Sequence, residues 1–279
     1  MDTTTSHNLL EGKNGLIFGA LDERSLAWSV AEACNREGAT FTLSNAPIAL
    51  RFGKIHELAE NTNSEIIACD VTDEKQINKL IDKTLANSGK LDFILHAVGM
   101  SPNVRKEIDY KNLNYKLMQQ TLEISAISLH KILKACVEKN ALNDHASILA
   151  LSYIGAQRVF SKYSDMNDAK ALLESIARNF GSRLGERGIR VNTVSQGPTK
   201  TSAGSGIGGF DAMYEFAAML SPLGNPSAEE CADYCITLFS DLTRKVTMQN
   251  LFHDGGFSTN GISEELIFDL AELHKGKKE

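Results

Sequence analysis

Seven short apolar runs alternate with stretches of helical periodicity along this chain, and that alternation constrains the fold more than any other feature. The runs lie at 14–19 (NGLIFG), 40–44 (TFTLS), 65–70 (EIIACD), 91–99 (LDFILHAVG), 146–152 (ASILALS), 189–196 (IRVNTVSQ) and 248–256 (MQNLFHDGG). Helical patterns follow at 25–37, 54–60, 74–87 and 112–138, then through Lys170 to Leu184, with a loop and two shorter helices before the last run. Strands joined through helices run parallel, because each crossover returns the chain to the same end of the sheet. The runs are continuously apolar, as expected of strands covered on both faces. The fold class is therefore α/β: one doubly wound, Rossmann-like domain over residues 1–279, with a seven-stranded parallel sheet and helices on both faces. No linker, repeat or composition break divides the chain, and 279 residues with 42% hydrophobic content suffice for one sizeable core.

Ligands of such sheets bind beyond the carboxyl ends of the strands. After the first run comes Gly19, then Ser25, Leu26 and Ala27. A glycine there permits a tight turn beside phosphate, and Ser25 with the next helix's first amides, Leu26 among them, can receive a pyrophosphate. The same residues also fit a plain glycine turn with a serine N-cap. Asp70 and Val71 follow the third run, where an acid can accept from an adenine amino group or simply close the turn in DVTDE. Ala97 and Gly99 follow the fourth, small enough for backbone to approach a flat ligand, or for a strand-end turn.

The stretch 151–170 (LSYIGAQRVFSKYSDMNDAK) holds Tyr153, Tyr163 and Lys170. Tyr163 and Lys170 are seven residues apart, so one α-helix running through both would set them about 10 Å apart in rise on nearly the same face. A phenol so placed can give a hydrogen bond to a substrate oxygen while the ammonium holds a hydroxylated cofactor. A surface tyrosine and lysine on an amphipathic helix would have the same spacing.

Charge and composition exclude other classes. A net charge of −6 argues against a nucleic-acid partner or an anionic membrane surface. No apolar run approaches the roughly 20 residues of a membrane span, and MDTTTSHNLLEGK has neither the basic nor the apolar region of a secretory signal. Cys34, Cys69, Cys136, Cys231 and Cys235 are odd in number and set in apolar contexts, which suits a reducing cytoplasmic setting and core packing rather than a metal site.

Together these residues resemble the short-chain dehydrogenase/reductase superfamily, and within it the divergent branch of bacterial enoyl-acyl-carrier-protein reductases. Four features carry the resemblance: the turn of Gly19, Ser25 and Ala27; SYIGAQR followed by Tyr163 and Lys170 in a Y-x6-K spacing; RVNTVSQGPTKTSAGSGI (190–207); and HDGGFS (253–258). The superfamily's commoner Y-x3-K spacing would need a lysine at 167, which is Asn167. The likeness spans about 10–258. It implies reduction of the trans-2 double bond of an enoyl thioester in fatty acid biosynthesis, by hydride from NADH, with NADPH possible. Tyr163 then matches the catalytic phenol, Lys170 the lysine that holds the nicotinamide ribose, and Tyr153 a second tyrosine lining the thioester pocket. Pro198, Thr199 and Thr201 would meet the nicotinamide carboxamide and pyrophosphate. No acid or base stands immediately after the second run, where Asn45-Ala46-Pro47 precedes Arg51; NADH is the cofactor that the branch implies.

The glycine-rich segment 199–219 is expected to be a mobile substrate loop. Met166, Ile207 and Phe210, with Met213 and Tyr214, either line an acyl tunnel or belong to ordinary core. The extension from about 260 reads as an amphipathic helix that covers a subunit interface or packs locally. The implied partners are acyl carrier protein bearing an enoyl chain, or enoyl-coenzyme A, and further copies of the chain in a homotetramer. Two other readings remain open: a short-chain reductase acting on a carbonyl such as a 3-ketoacyl thioester, and a dinucleotide-binding protein without catalysis.

Overall fold

Each of the seven apolar runs forms a parallel strand: β1 (Asn14–Phe18), β2 (Thr40–Ser44), β3 (Glu65–Ile66), β4 (Leu91–His96), β5 (Leu142–Ser152), β6 (Arg190–Gln196) and β7 (Asn250–His253). They lie in the order β3-β2-β1-β4-β5-β6-β7 in one sheet. The computed structural model describes residues 5–202 and 204–275; the first four residues, Ala203 in the glycine-rich segment, and the charged end of the tail at 276–279 lie outside them. The third strand is shorter than the apolar run that announced it. Beyond Ile66 the backbone still donates from Ile67 to Leu43 and from Cys69 to Asn45, so the edge continues as a looser ladder.

The crossovers are α1 (Leu26–Arg36), α2 (Pro47–Phe52), α3 (Ile55–Thr62), α4 (Glu74–Ser88), α5 (Pro102–Arg105), α6 (Tyr115–Leu122), α7 (Ser128–Glu138), α8 (Met166–Leu184), α9 (Phe210–Leu220) and α10 (Ala228–Phe239), and α11 (Glu264–Lys275) follows the sheet. Their starts are written in the sequence. Asp73 caps α4 by accepting from the amides of Lys75 and Gln76, and Ser227 with Glu230 forms a reciprocal capping box on α10.

Alternate strand residues feed two cores. Leu16, Phe18, Ile94, Ile148 and Val191 pack under α4, α7 and α8, against Ile81, Leu133 and Leu173. Ile17, Leu43, Phe93, Leu95, Leu149 and Val194 pack under α1, α3 and α10, against Trp28, Leu58 and Ile236. With both faces covered, the period-two pattern vanishes from the sequence, since inward and outward residues are equally apolar. Each fully buried aliphatic side chain contributes about 2 kcal/mol. The five cysteines are free and buried, so they serve these cores as packing.

The long helix expected at 112–138 runs unbroken from Tyr115, capped by Asn114, to Glu138, with a π turn (Glu123–Ile127) inside it joining α6 to α7. One helical expectation needs correction. No single helix carries both Tyr163 and Lys170. Tyr163 closes a 3₁₀ turn (Ser161–Tyr163), Ser164 takes φ 45° and ψ −132°, and α8 begins only at Met166. That backbone angle is incompatible with a helix and is costly for any residue but glycine. The pair therefore owes its proximity to tertiary packing.

The order of strands reverses at β1, whose two neighbours are β2 and β4. Doubly wound sheets form their ligand cleft at such a point, at the carboxyl ends of the strands, where connections leave to opposite faces of the sheet. Among the described residues no helix is long and apolar enough to cross a membrane.

Candidate active site

The cleft floor is backbone. Gly19 has φ 101°, and a Cβ on it would stand 2.2 Å from the Ala97 carbonyl oxygen, so only glycine lets β1 and β4 end this close together. Ser25 does not cap α1 with its side chain. Its hydroxyl donates to the Asp22 carbonyl and accepts from the Leu21 amide, which shapes the connecting loop and leaves the first turn of α1, from Leu26, uncapped by any side chain. An uncapped helix start beside a bare glycine fits a pyrophosphate. On the β2 side, Asn45 donates to the Ala20 carbonyl and ties the two strand ends together.

Asp70 closes its turn with one carboxylate oxygen and leaves the other unused among the described residues. One carboxylate oxygen, Oδ1, accepts from the Thr72 amide and hydroxyl at 2.9 and 2.8 Å, closing the turn. Its second oxygen has no partner among the described residues and is available to an adenine amino group. Val71 is buried beside it in the α4 core.

Gly99 marks the centre. A methyl group on it would lie 3.8 Å from Lys170 Nζ, 3.9 Å from Met166 Cε and 4.0 Å from Ser125 Oγ, in ordinary contact with all three. Lys170 is 8% exposed and donates to the Leu151 carbonyl at 2.7 Å. Burial pushes its ammonium down to about 8, with Glu174 pulling the other way, so it is still charged at neutral pH. Glu174, itself buried and accepting from Ser152, has its carboxyl raised, chiefly by burial.

Tyr163 reaches the same centre through Met166, which it packs against together with Val104, Leu122 and Ile207. Its ring meets Tyr153 edge-on with centroids 5.1 Å apart. Its hydroxyl has no hydrogen-bond partner among the described residues. Burial raises both phenols, so each is protonated and able to donate at neutral pH. Tyr153 is buried, with its hydroxyl against the Met213 sulfur of α9. The glycine-rich segment thus folds over the tyrosines as a short 3₁₀ turn (Gly204–Gly206) and then α9.

Most of the expected residues come together here. Met166 and Ile207 share one apolar wall with Tyr163. Phe210 does not join it; it packs against Tyr214 and the Gly204 turn. Pro198 is buried just past the end of β6, and the Thr199 hydroxyl lies within reach of the Gly197 carbonyl of its own loop and the Pro226 carbonyl between α9 and α10. Thr201 accepts from the Gly204 amide and retains its hydroxyl hydrogen for a ligand.

This arrangement has counterparts. Residues 19–258 match the family model described as enoyl-(acyl carrier protein) reductase. The chain belongs to the enoyl-(acyl carrier protein) reductase family. It is 35% identical to enoyl-[acyl-carrier-protein] reductase [NADH] 1 of Rhizobium meliloti (strain 1021), over 95% of this chain and 97% of that one. A FabI of Rickettsia typhi, also designated an NADH enoyl-[acyl-carrier-protein] reductase, is 33% identical over 92% and 98% of the two chains. The crystal structure of the FabI–NADH complex from Alistipes finegoldii superposes with a TM-score of 0.91 at 56% identity, covering 92% of each chain.

Three residues around these groups escaped the sequence reading. Ser125 sits on the π turn and exchanges hydrogen bonds with the Met100 amide and carbonyl beside Gly99; an irregular turn inside a helical pattern leaves no signal in the residues. Asp22, in the β1–α1 loop, has both carboxylate oxygens within reach of Ser202, 2.8 and 2.7 Å away, which pins the glycine-rich segment across the cleft. Asp165 lies buried between Tyr163 and α8. Its only sequence signal was its place within YSDMNDAK.

Proposed function

We propose that the protein reduces the trans-2 double bond of enoyl thioesters carried on acyl carrier protein, with NADH as reductant, in fatty acid biosynthesis. The observation that supports this best is the pairing at Gly99: a buried ammonium on one side and, across Met166, a protonated phenol with no protein partner. The cleft suits a dinucleotide, with the bare Gly19 turn and uncapped α1 for the pyrophosphate, the free oxygen of Asp70 for adenine, and Lys170 for ribose hydroxyls. When bound, the reduced nicotinamide supplies a hydride to the β-carbon of the enoyl group.

The chain's own residues do the rest. Negative charge develops on the thioester oxygen as the double bond is reduced, and a donor placed there lowers the barrier. Tyr163 is that donor: burial keeps its proton on, and its unpartnered hydroxyl is not diverted by a neighbour. Tyr153 braces the Tyr163 ring edge-on and lines the thioester pocket. Lys170 orients the cofactor and adds positive charge near the developing anion. Met166 and Ile207 keep water from the acyl chain. The segment 199–219 opens and closes over the acyl chain, its closed position tied by Ser202 to Asp22. The whole chain acts as one domain, in the cytoplasm, as a homotetramer to which α11 contributes exposed apolar residues such as Phe268 and Leu273.

The test is direct. Purified protein is given NADH or NADPH with crotonyl or longer enoyl thioesters, on coenzyme A and on acyl carrier protein, and the nicotinamide absorbance is followed. Enoyl-dependent oxidation of NADH is expected, faster with the carrier-bound substrate. Oxidation with 3-ketoacyl thioesters alone would replace this reading with a carbonyl reductase.

A further inference from the structure

Asp165 has 0% exposure and no basic side chain paired with it among the described residues. Its carboxylate instead accepts three hydrogen bonds from neutral donors. Ser101 donates to Oδ1 at 2.6 Å, and Asn103 and Thr121 donate to Oδ2 at 2.7 and 2.9 Å. Those donors come from separate places: Ser101 and Asn103 from the loop and short helix after β4, Thr121 from α6. Two of them are themselves fixed. Ser101 accepts from the Val104 amide, and Asn103 bonds the backbone of Asn114 as both donor and acceptor. Burying a carboxylate is expensive unless its oxygens are matched, so this cluster acts as one rigid knot.

The knot lies two residues from the catalytic phenol. Between them stands Ser164, with φ 45° and ψ −132°, a backbone conformation that only glycine adopts freely. Such strain persists only where neighbours over-determine it. On one side Ser164 is held by the packing of Tyr163 against Tyr153, and on the other by Asp165. Without the knot, the first turn of α8 would relax toward regular helix, and Tyr163 would swing away from Met166 and Gly99.

We infer that Asp165 is a positioning residue for the reaction: its buried triple acceptor holds the strained Ser164 linkage and so aims the Tyr163 hydroxyl at the substrate oxygen. This rests on the reading of Tyr163 as the donor to the thioester oxygen. Asp165 touches neither substrate nor cofactor, and acts through Tyr163 alone. The consequence is non-additivity, since residues acting as a unit do not lose activity twice.

A double-mutant cycle on the full-length protein reads this. Turnover of enoyl thioester, NADH binding by fluorescence and thermal melting are measured for Asp165→Ala, Tyr163→Phe and the pair. Asp165→Ala is expected to lower kcat by about 30-fold or more, of the order seen when a catalytic donor is misplaced. NADH affinity is expected to change less than about threefold, because the Lys170 and Gly19 corners are untouched. In the Tyr163→Phe background, Asp165→Ala should cost no more than about threefold further. Asp165→Asn can turn its amide to donate to Ser101 and still accept from Asn103 and Thr121, and is expected to restore most of the turnover. Thr121→Val removes one donor of three without opening a cavity; it gives a smaller loss that also vanishes in the Tyr163→Phe background, and serves if Asp165→Ala does not fold. Equal losses of kcat in both backgrounds, or loss of NADH affinity in parallel with kcat, would overturn the inference while leaving the role of Tyr163 intact. Full activity of Tyr163→Phe would overturn that role, and the inference with it.

Discussion

Lys170→Met separates what this protein needs for stability from what it needs for function. The Lys170 ammonium is 8% exposed, and burial lowers it from 10.5 to about 8. A drop of roughly two and a half units, at about 1.4 kcal/mol each, means that holding the charge in the folded chain costs about 3 kcal/mol. The bond from Nζ to the Leu151 carbonyl offsets part of this. Methionine would leave that carbonyl unmatched, a loss of about 1–2 kcal/mol. The balance is a gain of about 1–2 kcal/mol in the cofactor-free protein, or about 2–5 °C in Tm for a domain of this size. The gain depends on pH. Below pH 8 Lys170 is charged in both folded and unfolded chains, and the full cost is present. Between about pH 8 and 10.5 the folded state gives up its proton while the unfolded state keeps it, so the stability of the unsubstituted protein rises with pH by most of that cost, and the gap closes and then reverses. Denaturant unfolding at pH 7 and pH 10, with and without NADH, measures both halves. The variant should be the more stable protein at pH 7, about 1 kcal/mol the less stable one at pH 10 because it lacks the bond to Leu151, and less stabilised by NADH. A variant less stable at pH 7, or a gap unchanged at pH 10, would refute the claim that Lys170 is a desolvated cation kept for the cofactor.

Other substitutions probe the remaining corners. Gly19→Ala places a Cβ 2.2 Å from the Ala97 carbonyl at φ 101°, so it should cost several kcal/mol, of order 2–4, and remove NADH binding in calorimetry. Asp70→Asn keeps Oδ1 for the Thr72 turn but replaces the free oxygen by a donor; NADH affinity should fall about three- to tenfold with Tm within about 2 °C. Ser202→Ala releases the tie to Asp22, and protease nicking within 199–219 should quicken in the absence of ligand while NADH binding persists. Tyr163→Phe should slow turnover at unchanged NADH affinity, whereas Lys170→Ala should weaken cofactor binding; kinetics and binding measured side by side distinguish the two.

The chain's own pattern determined the fold class, the parallel sheet, the number of strands and the edge at which the site lies. These follow from local physics: apolar runs too short for helices, helical periodicity between them, and small or glycine residues at strand ends. Gly19, Asp70, Gly99, Tyr153, Tyr163 and Lys170 were all legible as candidates in those places. What pairs them was not. The two-turn spacing suggested a shared helical face for Tyr163 and Lys170, yet Tyr163 lies outside α8, and while Lys170 reaches Gly99 directly, Tyr163 does so only through Met166. The strained Ser164, the π turn that presents Ser125, and the knot around Asp165 bring together segments as much as 64 residues apart. Each breaks a local rule, and a local rule can be broken only where packing from elsewhere holds the break in place. That is why only the tertiary structure decided where the phenol points.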